Sequence, residues 1–313
     1  MMGKIEFDKR GVLADEGVFR TVNKYLSLVT FAHTIFAMPF AFIGFFLGLR
    51  ELNFTTYKPW WFLLILVVLC MVFARSAAMA FNRYLDAEID AVNDRTSIRE
   101  IPSGVLSKRS ALLFVVFNSF AFISTTYFIN ALCLVLSPVA LAVILGYSYT
   151  KRFTALCHLI LGLGLSLAPL GAYIAVTGKF DLLPVLFSGS VLFWVSGFDI
   201  IYALQDEAFD KENKLHSMPS LLGGRRALQV SQLLHLLSFF SLIIAGFVGE
   251  MSWLYLIGVG VFGYFLVSQH RLVSPGNLTK VNKAFFTSNG FASVAFSIFV
   301  LLDIFIFHNP ATR

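Results

Sequence analysis

The chain of 313 residues is 58% hydrophobic and only 13% charged, and it contains 35 phenylalanines. A soluble domain carries about a quarter charged residues, so this composition excludes a soluble globular protein and indicates a polytopic membrane protein. The net charge of +6 resides in the connections between apolar runs, which argues against nucleic-acid binding.

Apolar runs of about 20 residues, long enough to cross a bilayer as helices, follow one another along most of the chain. The alternating ten-residue segments of a transmembrane barrel do not occur in the sequence. We therefore predict an all-α polytopic membrane protein with about nine transmembrane helices, built as a single domain over residues 1–313 with a tail at residues 1–25. The predicted helices lie near residues 31–49, 60–81, 110–129, 131–149, 155–177, 183–204, 228–248, 252–269 and 285–307.

The distribution of lysine and arginine predicts the orientation, because cytoplasmic loops of membrane proteins carry an excess of both. Of the 24 such residues, Arg50, Lys58, Lys179 and Arg313 fall on one side of the predicted bundle and all the others on the opposite side. We expect the N-terminal tail and the long polar connections to be cytoplasmic and the C-terminus to lie outside.

The first acidic motif, Asn82-x-x-x-Asp86-x-x-x-Asp90, lies at the predicted cytoplasmic end of the second helix. Side chains four residues apart lie on one face of a helix, so these three groups would point in one direction. Ionisable groups at the membrane are costly, which makes them candidates for a functional site. For this motif alone, the alternative that both acids simply reach the aqueous interface stays open.

A second motif with the same acidic spacing, Asp206-x-x-x-Asp210, follows the sixth predicted helix. Asp199 lies inside that helix, and on an uninterrupted helix it would share a face with Tyr202, Asp206 and Asp210. We expect the two acidic stripes to face each other across one cavity at the cytoplasmic side.

Five carboxylates in one cavity would repel one another by about 4 kcal/mol per pair at 4 Å, so such a cavity requires cations. Mg²⁺ takes one or two protein carboxylates and completes its shell with phosphate and water. We therefore expect Mg²⁺ that holds a phosphorylated substrate, with neutral oxygens supplied by Asn82 and Gln205. Nearby basic side chains would pair with the remaining phosphate oxygens: Arg83, Arg95, Arg99, Lys151, Arg152 and Lys211.

A metal-bound diphosphate at the mouth of an apolar cavity favours one type of reaction. If the diphosphate leaves an allylic chain, metal binding stabilises its departure, and aromatic faces such as those of Tyr147, Tyr149 and Tyr202 could shield the resulting positive charge. An electron-rich ring would then be alkylated. This chemistry does not by itself choose the acceptor.

The two acidic motifs, together with RTSIREIPSG at 95–104 and YSYTKRFT at 147–154, resemble the UbiA superfamily of intramembrane aromatic prenyltransferases. The resemblance covers nearly the whole chain and implies about nine helices around a central cavity. It implies that two Mg²⁺ ions and the prenyl diphosphate are held by five carboxylates, those of Asp86, Asp90, Asp199, Asp206 and Asp210. Asn82 is implied as a further metal ligand. The resemblance further implies a diphosphate-binding set of Arg95, Arg99, Tyr147, Lys151 and Lys211, and an acceptor-binding pair of Arg152 and Tyr202.

Three further stretches, HTIFAMPFAF at 33–42, SAAMAFNR at 76–83 and LHSMPSLLG at 215–223, look like the 4-hydroxybenzoate polyprenyltransferase branch, including its subgroup linked to menaquinone made through futalosine. The expected function is Mg²⁺-dependent transfer of a polyprenyl group from its diphosphate to 4-hydroxybenzoate or a naphthoate in quinone biosynthesis. The expected location is the cytoplasmic (inner) membrane of a bacterium. Either Arg152 or His33 would contact the acceptor, and the sequence leaves that choice open, together with the prenyl length and the oligomeric state.

A cation-coupled transporter and a lipid phosphotransferase are alternative interpretations of the acidic motifs. A cation-coupled transporter would need carboxylates near the membrane midplane, whereas these cluster at one face. A lipid phosphotransferase of the CDP-alcohol type would need an Asp-Gly-x-x-Ala-Arg motif, which neither cluster contains. Within the resembled family, homogentisate, haem or chlorophyllide acceptors stay possible. His158 and His235 are expected to be packing residues, and His216 and Ser217 to lie in a connection that covers the site.

Overall fold

The computed structural model describes Leu28 and residues 34–308. In this part of the chain helices account for nearly all regular structure, and the only extended pairing is an isolated bridge between Ser274 and Asn277. The all-α prediction is therefore confirmed. The N-terminal tail and His33 lie outside the described residues.

The helices are numbered here in chain order. They are α1 (Thr34–Glu51), α2 (Trp60–Ala91), α3 (Lys108–Ile129), α4 (Ala131–Thr150), α5 (Cys157–Thr177), α6 (Leu182–Ala203), α7 (Glu207–Glu212), α8 (Met218–Leu222), α9 (Gly224–Val248), α10 (Trp253–Leu272) and α11 (Asn289–Phe307). A 3₁₀ turn at Leu204–Asp206 joins α6 to α7, and a π-helical turn at Lys283–Ser288 precedes α11.

Eight helical segments in the described part of the chain are long and apolar enough to cross a membrane. With α1, which packs against α5 and α11, they correspond one to one to the predicted helices. Gly44 of α1 lies so close to the carbonyl of Pro169 in α5 that a β-carbon would collide with it. The protein is thus an integral membrane helix bundle whose small residues permit close helix approach.

The largest difference from the prediction is the length of α2, which runs to Ala91 rather than ending near residue 81. The polar residues from Asn82 onward continue the same helix. Asp86 and Asp90, two of the three predicted ligands of the first motif, therefore lie in the last turns of α2. These turns follow the apolar part of the helix, which is the part that the hydropathy pattern detects.

A buried aromatic cluster joins the helices that hold the second motif in place. Trp194 of α6 contacts Phe40 of α1 and Phe262 of α10, with ring centroids 5.4 and 5.5 Å apart. Phe296 of α11 packs on the same Phe40 ring at 5.8 Å. Buried aromatic side chains of this size dominate core energetics, so this cluster anchors α6, whose far end carries Asp199.

Candidate active site

A polar cavity of about 240 Å³ lies at the end of the bundle where α2, α4 and α6 finish. Most of the residues predicted to form the site line this cavity: Asn82, Asp86, Asp90, Arg95, Arg99, Tyr147, Lys151, Arg152, Asp199, Tyr202 and Asp206. The tertiary structure therefore brings both acidic motifs to one place, although they come from distant parts of the sequence.

The first motif keeps its helical face and is paired with arginines. Asn82 donates from Nδ2 to Asp86 Oδ2 at 3.0 Å. Arg152 NH2 lies 3.3 Å from Asp86 Oδ1, and Arg99 NH1 contacts both carboxylate oxygens of Asp90 at 2.7 and 2.8 Å. Because each carboxylate has a cationic partner, their mutual repulsion is reduced.

The second motif lies where the helical chain of α6 tightens into a 3₁₀ turn and then continues as α7. Since α6 ends at Ala203, Asp206 falls in the 3₁₀ turn and Asp210 in the short helix α7. Asp199, Tyr202 and Asp206 still line one cavity, and only Asp210 departs from the expected shared face. A tighter 3₁₀ turn changes the angular position of the residues that follow it.

Asp206 faces the cavity, whereas Asp210 is turned away from it. Arg95 binds the Asp206 carboxylate through two hydrogen bonds, from Nε at 3.1 Å and from NH2 at 2.6 Å. The Asp210 side chain is fully buried, and its Oδ2 accepts a hydrogen bond from Ser217 at 2.8 Å. Lys151 Nζ lies 2.7 Å from the other oxygen, Oδ1, but without hydrogen-bond geometry.

Lys151 lies just beyond α4, and two opposing effects act on its pKa. Burial lowers the pKa of its ammonium group, but the adjacent Asp210 carboxylate, assisted by Asp206, outweighs burial and leaves the pKa above its ordinary value. Lys151 therefore stays cationic at neutral pH.

Tyr202 and Lys211 differ in how the structure places them. Tyr202 lines the cavity, with the Arg95 guanidinium 5.5 Å from its ring centre and Phe285 packed against it at 4.3 Å. Lys211 does not line the cavity; its ammonium group lies 2.6 Å from Glu207 Oε1 on the exposed side of α7. Of the basic residues predicted to meet phosphate, Lys211 and Arg83 are the two that do not line the cavity.

His158 is expected from the sequence to be a packing residue, but the structure places it in the site. It lines the polar cavity in the first turn of α5, and its Nδ1 lies 2.6 Å from Asp199 Oδ2. The only signal in the sequence is its position shortly after the YSYTKRFT stretch. His235, by contrast, is buried between helices, where it contacts His270 at 2.8 Å.

An apolar cavity of about 300 Å³ adjoins the polar one, between α2, α4 and α5. Tyr147 and Leu161 line both cavities. Arg75 of α2 also lines the apolar cavity, and its Nε is buried without a hydrogen-bond partner among the described residues. The arrangement places a charged compartment beside an apolar one.

The donor set of the polar cavity consists of oxygens. In the part of the chain that the structure describes, no three side chains of the His, Cys, Asp and Glu types converge on a single metal position. Hard cations of the Mg²⁺ type do not need three protein ligands of this kind, because they take one or two carboxylates and complete their shell with phosphate and water. The residues present therefore fit ions that arrive with a phosphorylated substrate.

These features define a helical integral membrane protein with an acidic and basic site beside an apolar cavity. Residues 27–291 match the UbiA prenyltransferase family, and the chain belongs to this family. The fold expected from the resemblance is thereby confirmed.

Relatives and solved structures of the family are similar over most of their length. The chain is 31% identical to the 4-hydroxybenzoate octaprenyltransferase of Aliivibrio fischeri over 78% of this chain and 85% of that protein. The corresponding enzyme of Francisella tularensis subsp. mediasiatica is 27% identical over 76% and 84% of the two chains. The apo structure of a UbiA homolog from Aeropyrum pernix K1 superposes with a TM-score of 0.77 at 28% identity, covering 87% of this chain and 98% of that one.

A further solved structure shares the fold alone. The UbiA homolog from Archaeoglobus fulgidus, solved bound to GPP and Mg²⁺, superposes with a TM-score of 0.68 at 19% identity. The superposition covers 90% of this chain and all of that chain.

Proposed function

We propose that this protein transfers a polyprenyl group from an allylic prenyl diphosphate to a small aromatic acceptor, 4-hydroxybenzoate or a related naphthoate, in quinone biosynthesis. The observation that carries the proposal is the junction of the polar cavity with the apolar cavity at Tyr147 and Leu161. A diphosphate and its hydrocarbon chain require these two environments side by side. The 4-hydroxybenzoate octaprenyltransferases among the relatives support the acceptor class.

Mg²⁺ is the proposed cofactor, held by Asn82, Asp86, Asp90 and Asp206 as oxygen donors, with Asp210 directly behind the cavity wall. The Archaeoglobus fulgidus homolog bound to GPP and Mg²⁺ supports this choice. When bound, the metal neutralises the diphosphate and stabilises it as a leaving group. We propose two ions because both acidic motifs contribute carboxylates to one cavity, Asp86 and Asp90 from the first and Asp206 from the second.

The basic residues of the cavity would bind the diphosphate oxygens that the metal leaves unpaired. Arg95, Arg99 and Lys151 now contact the carboxylates of Asp206, Asp90 and Asp210. Charge-assisted hydrogen bonds from arginine to phosphate are strong and often bidentate. Substrate binding would therefore change the partners of these basic side chains. They would leave the carboxylates and bind the phosphate oxygens, and the carboxylates that line the cavity would become available to the metal. Lys211 has no part in this proposal because it lies outside the cavity.

Two arginines are candidates for the carboxylate of the acceptor. Arg152 lies at the cavity mouth, but its NH2 already donates to the carbonyl of Leu85 at 2.7 Å. Arg75 lines the apolar cavity beside Tyr147 and has a buried, unsatisfied Nε. We propose Arg152 and Tyr202 as the acceptor site. Arg75 is the alternative, and its buried, unsatisfied Nε is the observation that favours it.

The proposed location is the cytoplasmic membrane of a bacterium, with the polar cavity and the N-terminus on the cytoplasmic side. The excess of lysine and arginine in the connections at that end of the bundle supports this orientation. It would give the cavity access to water-soluble acceptors from the cytoplasm and to prenyl diphosphates from the bilayer.

The direct test is incubation of the purified protein in lipid nanodiscs with one radiolabelled prenyl diphosphate and Mg²⁺, against a panel of hydroxybenzoates and naphthoates. Formation of a labelled, prenylated ring with one acceptor class supports the proposal. Unchanged prenyl diphosphate with every aromatic acceptor in the panel would overturn it. Cation flux into sealed proteoliposomes without prenyl transfer would instead support a transporter.

A further inference from the structure

His158 lies between the polar cavity and the short helix α8. The residue is only 3% exposed. On one side its Nδ1 contacts Asp199 Oδ2 at 2.6 Å, and on the other side its Nε2 accepts the backbone N–H of Met218, the first residue of α8, at 3.2 Å. The imidazole thus bridges a cavity carboxylate and the segment that follows α7.

The contact with Met218 fits one tautomer of the ring. Because a backbone N–H can only donate a hydrogen bond, this contact is made by the neutral ring with Nε2 unprotonated. In that tautomer the ring proton lies on Nδ1, which faces Asp199 Oδ2. A histidine whose two nitrogens are both engaged is fixed in tautomer and in orientation.

The segment around α8 is held by other atoms of the same site. The N–H of His216 donates to the carbonyl of Lys151 at 2.7 Å, and the hydroxyl of Ser217 donates to Asp210 at 2.8 Å. Ser217 is also the N-cap of α8, with a reciprocal pair of hydrogen bonds to Ser220. Among these contacts, the one through His158 leads to a carboxylate that lines the cavity.

We propose that His158 is a positioning residue that couples the placement of α8 to the orientation of the Asp199 carboxylate in the cavity. With α8 in place, Nε2 is engaged and Nδ1–H is directed at Asp199. With α8 displaced, the ring loses one of its two restraints, and Asp199 loses a fixed donor. This inference rests on the proposed function for its catalytic consequence, but the coupling itself can be measured without turnover.

A matched pair of substitutions at Met218 removes either the N–H or only the side chain. Met218→Pro removes the N–H at the first position of a helix, where proline is well tolerated. The preceding Ser217 has φ −139° and ψ 162°, the extended conformation that a residue before proline prefers. Met218→Ala keeps the N–H and is the control.

We expect Met218→Pro to lower kcat for prenyl transfer by about fivefold, the equivalent of one neutral hydrogen bond, with little change in KM for the prenyl diphosphate. Met218→Ala should stay within about twofold of wild type. Equal loss in both variants, or no loss in Met218→Pro, would overturn the role of this N–H.

The coupling is tested by limited trypsin cleavage after Lys211 and Lys214, which are exposed in the segment before α8. In nanodiscs, Asp199→Leu should speed cleavage several-fold although Asp199 does not touch the segment, because His158 loses its anchor. In the Met218→Pro background, which already lacks the link, Asp199→Leu should add nothing. Equal acceleration by Asp199→Leu in both backgrounds, or none in either, would overturn the coupling.

The two proposals fail in different ways. Absence of prenyl transfer by the wild-type protein with every acceptor would refute the proposed function, while the trypsin measurement would still decide the coupling. Normal prenyl transfer with additive cleavage rates would refute only the coupling.

Discussion

Arg95 binds Asp206 across 111 residues of sequence, through one hydrogen bond at 3.1 Å and a second at 2.6 Å. The arginine comes from the connection that follows the first acidic motif, and the aspartate belongs to the second. Both residues line the polar cavity, and their pairing joins the two halves of the site. An arginine–carboxylate pair with two hydrogen bonds is geometrically specific, so it ties the connection after α2 to the 3₁₀ turn after α6.

Loss of a cavity carboxylate should abolish turnover without unfolding the protein. We expect Asp86→Asn and Asp206→Asn to lower kcat by more than about 100-fold, since loss of an outer partner of a metal ligand alone costs on the order of 10- to 100-fold. Glu88→Gln is the matched control, because Glu88 is exposed on the same helix and pairs only with Lys108 among the described residues. Wild-type turnover in either aspartate variant would contradict the metal assignment.

Activity should require a divalent cation. We expect prenyl transfer to stop in excess chelator and to return with Mg²⁺ or Mn²⁺, because the oxygen donors of the cavity suit hard cations. Binding should also be visible without turnover: Mg²⁺ with a prenyl diphosphate at about 100 times its Kd should stabilise the folded state by about 2.7 kcal/mol. Alkylation that persists in chelator would remove Mg²⁺ from the proposal.

The acceptor carboxylate should distinguish Arg152 from Arg75. We expect Arg152→Ala to raise KM for a carboxylated acceptor about tenfold or more, the equivalent of one charge-assisted hydrogen bond, and to change KM for the prenyl diphosphate far less. Arg75→Ala is measured beside it, because Arg75 Nε has no hydrogen-bond partner in the described residues. A selective effect in Arg75→Ala alone would transfer the acceptor role to Arg75, and equal effects on both substrates would remove the role of Arg152.

Lys151 should contribute to stability through the buried carboxylate of Asp210. We expect Lys151→Met to lower the free energy of unfolding by about 2 kcal/mol, because it leaves that carboxylate buried without its cation. Lys151→Met with Asp210→Asn should recover part of the loss, since the charge is then removed as well. The control is Lys211→Met, whose pair with Glu207 is surface-exposed and worth about 0.5 kcal/mol or less; thermal unfolding in detergent measures all three. A loss no larger than that of the control would show that the pair is not stabilising.

The helices were largely predictable because hydropathy over about 20 residues reports a membrane span directly. The predicted and observed bounds of α3 and α4 agree within two residues at every end. The hydropathy pattern bounds the second span near residue 81, before the end of α2 at Ala91, because the last turns are polar and hydropathy detects where a helix leaves the bilayer rather than where it ends. The 3₁₀ turn after α6 is not predictable from the sequence, because no proline or glycine marks it.

The candidate site was predictable in its chemistry and only partly in its geometry. Side chains four apart on α2 share a face whatever surrounds them, so the first motif followed from local spacing. His158 was assigned to packing because a single histidine in an apolar helix carries no signal of its partners. Its contact with Asp199 exists because α5 packs against α6.

The sequence alone determined the membrane class, the approximate helix bounds, the oxygen-rich character of the site and the family resemblance, because each depends on composition or on spacing within one helix. Only the tertiary structure decided that Asp206 faces the cavity while Asp210 lies behind it, that Lys211 is outside, and that the polar and apolar cavities meet at Tyr147. The reason is that distances between residues on different helices depend on how side chains pack at each helix interface, and that packing is a property of the whole bundle.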